Sequence, residues 1–125
     1  MGGGRTSNPE AQKSQIERNI DSFPEQLKPN SEGYIGLPGR SSDKEKRQLK
    51  VNDTTSTYEA LSNALTRGAR LDDDVRVNYG GSSWVHDDGV RITIRPNSRS
   101  GSPVIEIVSG NPILATQKIH IEEIK

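Results

Sequence analysis

The chain has 125 residues with 17 Lys+Arg, 17 Asp+Glu, 29% hydrophobic residues, 4% aromatics and no cysteine. The missing cysteines exclude disulfide stapling and thiolate zinc sites, and no apolar run approaches the length of a membrane-spanning helix. The balanced charge excludes a broadly basic nucleic-acid surface, so any contact with nucleic acid must come from a local patch.

The opening "MGGGRTSNPE" has no apolar stretch of the kind a signal peptide needs. It reads as a linker or as a cut made inside a larger protein. Asn8-Pro9-Glu10 signals a helix start, with Asn8 as cap and Pro9 in the first turn. Ile16, Ile20 and Phe23 follow at helical spacing and Pro24 stops the run, which predicts a helix over about 9–22. "KPNSEGYIGLPGRSSDKEKRQ" is rich in Gly, Pro, Ser and charge. Residues 1–56 are therefore expected to be a helix plus an extended or mobile connection, with the α+β domain proper at 57–125.

"STYEALSNALTRG" predicts the second helix, over about 57–67. Ser56 and Glu59 have capping-box spacing, Tyr58, Leu61 and Leu65 share a face, and Gly68 is the stop. The rest alternates as strands do. Val75–Tyr79 and Ser83–Asp87 flank Gly80-Gly81, and Asp88-Gly89 precedes Val90–Arg95. Strands at Val104–Val108 and from Gln117 to about Glu123 complete the set. The expected fold class is α+β: N-terminal helices, then a four- to five-stranded antiparallel sheet with one helix on its inner face.

Alternation assigns each side chain to a face. Val75, Val77, Tyr79, Val85, Val90, Ile92, Ile94, Ile105, Ile107, Ile119 and Ile121 read as the inner face. The outer face collects Arg76, Asn78, Trp84, His86, Arg91, Thr93, Arg95, Glu106, Lys118, His120 and Glu122, with Val104 and Val108 also pointing outward. Both histidines and the lone Trp thus share one polar face. Such a set suits metal-independent RNA cleavage. That reaction needs a base at the 2′-OH, an acid at the leaving 5′ oxygen and fixed cations at the phosphoryl oxygens. His120 is the candidate acid, Glu106 or His86 the base, and Arg91 and Arg95 the phosphate clamp, with Thr93 as a further donor. Lys118, Arg76 and Arg99 are candidate phosphate contacts, and Trp84 a platform for an unpaired base. No cofactor or metal is expected: Asp72-Asp73-Asp74 lacks the spacing of a calcium loop, and in His86-Asp87-Asp88 alternation turns Asp87 away from His86 while Asp88 belongs to the turn. The alternatives are a charged strand face that prevents edge aggregation, a non-catalytic module of a phage or secretion system whose sheet face docks a protein, and a toxin domain of other chemistry.

The helices-then-sheet order, "SRSGSPVIEIVSG" (98–110) and "KIHIEE" (118–123) resemble the C-terminal ribonuclease toxin modules of bacterial polymorphic toxins (Rhs and contact-dependent inhibition systems), and the barnase and colicin D ribonucleases. The resemblance spans roughly residues 57–125. It implies a Glu base, Arg phosphate ligands and a His acid, matched in type by Glu106, Arg91 or Arg95, and His120. The order departs from barnase, where Glu precedes Arg. The resemblance further implies RNA as substrate, with transfer RNA a frequent target, and a cognate immunity protein. It implies a monomeric soluble domain, exported within a larger toxin and acting in the cytoplasm of a target bacterium.

Overall fold

The computed structural model describes residues 13–124. The fold is α+β: two α-helices lie against a seven-stranded mixed sheet. In chain order the elements are α1 (Gln15–Asp21), a 3-10 turn (Glu25–Leu27), β1 (Leu37–Pro38), β2 (Lys46–Val51), α2 (Thr54–Thr66), β3 (Arg70–Leu71), β4 (Ser82–Val85), β5 (Arg91–Arg95), β6 (Val104–Val108) and β7 (Gln117–Glu123). The sheet order is β1-β2-β7-β6-β5-β4-β3. Strands β4 to β7 form the expected antiparallel meander, and β3 pairs with β4 in place of the expected strand at 75–79; β2 joins the far edge parallel to β7 and carries β1 as a short antiparallel partner, so the sheet is mixed and not wholly antiparallel.

Helix α1 is capped by Ser14, whose hydroxyl accepts from the Glu17 amide. The predicted start at Asn8-Pro9 lies outside the described residues. Helix α2 begins three residues before the predicted position because Asp53 caps it, accepting the Ser56 amide at 3.0 Å. Ser56 therefore occupies the third helical position, and the Ser56–Glu59 box does not form. Gly68, at φ 81°, ends the helix as predicted. Two buried side chains then cover its last carbonyls: Asn19 donates to Arg67 O at 2.8 Å, and His86 Nε2 lies 2.7 Å from Leu65 O.

One core runs through both halves of the chain. Ile16, Ile20, Phe23, Leu27, Ile35 and Leu49 pack with Leu61 and Leu65 of α2 and with Ile92, Ile105, Ile107, Ile119 and Ile121 of the sheet. The segment expected to be an extended connection is anchored by polar contacts that composition does not reveal. Gln117, 3% exposed, accepts from Ile35 N and donates to Gly33 O and Ala115 O. Arg47 donates to three backbone carbonyls, of Ile35, Gly36 and Lys44, and stacks over the Tyr34 ring.

The predicted strand Val75–Tyr79 is absent. Asp72 Oδ1 accepts the Asp74 amide and turns the backbone out of the sheet. The edge of β4 pairs instead with Arg70–Leu71. Val75 and Tyr79 are exposed and not core.

Candidate functional site

The β-ladder sets which side chains meet on the face away from the helices. Directly paired residues share a face. One row across that face is Ser83, Thr93, Glu106, Lys118 and Lys46; the next is Arg95, Val104, His120 and Gln48. His120 therefore stands beside Val104, one strand and two residues from Glu106. Standard sheet spacings put the two Cα atoms about 8 Å apart, and Arg95 about 10 Å from His120. Five predicted site residues, Thr93, Arg95, Glu106, Lys118 and His120, occupy this region.

The other predictions require correction. Trp84 pairs with Ile92 and so lies on the helix side of the sheet, its Nε1 bonded to Ser82 Oγ at 2.9 Å. His86 is 2% exposed and bonded to α2, and Val85, read as core, is opposite Arg91 on the outer face. The cause is the hairpin. His86 N donates to Val90 O and Gly89 N to His86 O, enclosing a three-residue loop, Asp87-Asp88-Gly89, with Gly89 at φ 92°. The bulge shifts β4 by one residue against the assumed alternation, and every side chain of β4 changes face. Arg76 is exposed in the 72–81 loop, off the sheet.

Arg91 is on the outer face but is committed elsewhere. Its guanidinium bonds Asp72 Oδ2 at 3.0 Å and Ser83 Oγ at 2.8 Å, and Ser83 Oγ also meets Thr93 Oγ1. The contact with Arg91 holds the Asp72 carboxyl below its ordinary value. The ladder puts Arg91 about 16 Å from His120. Arg95 is closer and bonds Glu106 at 2.5 Å.

A cleft of about 360 Å³ opens beside His120, lined by Asn78, Tyr79, Arg95, Ser98, Arg99, Ser100, Val104, Lys118 and His120. The cover is tight enough that Val104, although it points outward, has no exposure. A second cleft, of about 300 Å³ with Arg40, Lys46 and Gln48 in its lining, also reaches His120. His120 thus stands between two clefts with cationic walls. Burial lowers its pKa below the ordinary value; the Lys118 ammonium lowers it further, and Glu122 partly opposes the shift. Among the described residues its ring has no hydrogen-bond partner, whereas Glu122 is tied to Lys50 at 2.8 Å. Among the described residues no three His, Asp or Glu side chains are arranged to hold a metal ion.

Three contributors escape sequence reading. Lys46 and Gln48 reach His120 only through the parallel pairing of β2 with β7, which has no local signal. Tyr79 was assigned to the core by alternation and instead lines the cleft. No protein-family profile, curated protein or solved structure matches the chain. No helix among the described residues is long and apolar enough to cross a membrane.

Proposed function

We propose that this chain is a metal-independent endoribonuclease domain of a bacterial toxin, with its site on the outer sheet face at His120. The observation that carries the reading is that His120, Lys118 and Arg95 line one cleft, with Glu106 bonded to Arg95 on the same sheet face. Glu106 on β6 and His120 on β7 share this face, one strand and two residues apart, a separation that suits a base and an acid on either side of one phosphodiester. In the reaction, the Glu106 carboxylate takes the proton of the 2′-OH and O2′ attacks phosphorus. The bond to the 5′ oxygen breaks, and that oxygen takes a proton from the His120 imidazolium. The products are a 2′,3′-cyclic phosphate and a free 5′-OH. Lys118 and Arg95 neutralise charge on the phosphoryl oxygens, and Arg99 reaches the strand from the 97–102 loop. A cognate immunity protein, an exported parent chain and transfer RNA as target belong to the same proposal.

The test is incubation of the protein with total cellular RNA in EDTA, beside His120→Ala and Arg95→Ala. Discrete fragments that disappear in both variants are expected, with a loss of about 10²–10⁴-fold for the proton-transfer group. Intact RNA with the parent protein would contradict the reading. The second reading, a module whose sheet face docks a protein, draws on the departure of Trp84 and His86 from that face and on the exposed Val108. Pull-down of a partner by the parent chain, abolished by a charge at Val108, would favour it.

A further inference from the structure

Tyr79 is the only described non-glycine residue with positive φ, at 61°. It is followed by Gly80 at φ 70°, and Gly81 N bonds Asn78 O at 3.2 Å. Two positive φ values in succession mark a type I′ turn, in which Asn, Asp or Gly normally occupies the first central position. A tyrosine there is strained, and strained residues collect at functional sites. The turn cannot easily slide, because a side chain at Gly81 would strike the Ile94 carbonyl and Val77.

The ring this turn presents is half exposed and adds little to the core. It lines the same cleft as Arg95, Arg99, Lys118 and His120. An aromatic face beside four cationic or titratable groups suits a nucleotide, with the phosphate on the charges and the base on the ring. Asn78, in the same lining, carries an amide that can donate to and accept from a base edge.

We propose that Tyr79 is a stacking platform for an unpaired base next to the cleaved phosphate, the part first assigned to Trp84. This rests on the ribonuclease reading and names its substrate class: a single-stranded RNA segment, held by base stacking as well as by charge. Duplex RNA, with its bases already stacked, is excluded from the platform.

The test is fluorescence anisotropy with a labelled, fully 2′-O-methylated single-stranded oligonucleotide, which binds without being cleaved, and a matched oligomer of abasic sugar-phosphates. Tyr79→Asn suits the turn and removes the ring, while Tyr79→Phe keeps the ring. Tyr79→Asn is expected to weaken binding of the base-bearing oligomer about 5- to 100-fold while thermal unfolding is unchanged or rises. Tyr79→Phe is expected to bind like the parent, and the abasic oligomer to show no difference among the three proteins. If Tyr79→Asn binds the base-bearing oligomer as the parent does, the platform is wrong and the ribonuclease reading stands. If the parent binds neither oligomer and leaves RNA intact, both fail and the face belongs to a protein partner.

Discussion

Replacing His86 by alanine tests whether this histidine holds the fold together. His86 is 2% exposed and its Nε2 lies 2.7 Å from the Leu65 carbonyl in the last turn of α2. Removing the imidazole leaves a buried carbonyl unpaired, at about 1–3 kcal/mol, and empties packed space beside α2. Its Nδ1 has no partner among the described residues, which offsets part of that loss. The expected destabilisation is about 2–3 kcal/mol, or roughly 6–15 °C in Tm for a chain of this size. His120→Ala, at a half-buried ring with no hydrogen bond among the described residues, is expected to stay within about 0.5 kcal/mol. Urea unfolding followed by the fluorescence of Trp84, the only tryptophan, measures both. The reasoning is refuted if His86→Ala changes stability by less than about 0.5 kcal/mol, and more so if it abolishes RNA cleavage in a fully folded protein.

Gln117→Leu strands the Ile35 amide and the Ala115 carbonyl, while the Gly33 carbonyl keeps the Ala115 amide, so its urea midpoint should fall by the equivalent of about 2 kcal/mol. Arg95→Ala should lower kcat/KM for RNA more than about tenfold, because Arg95 borders the cleft and orients Glu106. Arg91→Ala should leave kcat/KM within about threefold, because its partners are Asp72 and Ser83. With His120 as the acid, kcat/KM should fall as pH rises through a midpoint below the ordinary histidine value of 6.5. Stability carries the opposite sign: the folded protein binds this proton more weakly than the unfolded chain. Stability is therefore lost as pH falls below 6.5 towards the folded value, and His120→Gln should flatten that slope.

The parts of the fold legible in the sequence are those where one face is apolar without exception. Val90, Ile92, Ile105, Ile107, Ile119 and Ile121 recur at every second position of their strands, and all are buried. Strand β4 was not legible because Val85 was its only apolar guide and the bulge at Gly89 moved the register by one. The outer-face placement of Thr93, Arg95, Glu106, Lys118 and His120 on β5 to β7 was legible for the same reason as the core. Strand β2, "KRQLKV", reads as solvated charge; its place depends on pairing with residues about seventy positions away. The site residues it supplies were therefore invisible, as was Tyr79, whose turn overrode its alternation.

The central claim is a 2′-OH attack at a phosphodiester on this sheet face. Mass spectrometry of the ends produced from a single-stranded RNA in EDTA tests it most directly, beside the same strand with 2′-deoxyribose at each cleaved position. The account predicts 2′,3′-cyclic phosphate and 5′-OH ends, none from the deoxy-substituted strand, and none with His120→Ala. Linear 3′-OH and 5′-phosphate ends, or cleavage of the deoxy-substituted strand, would contradict it.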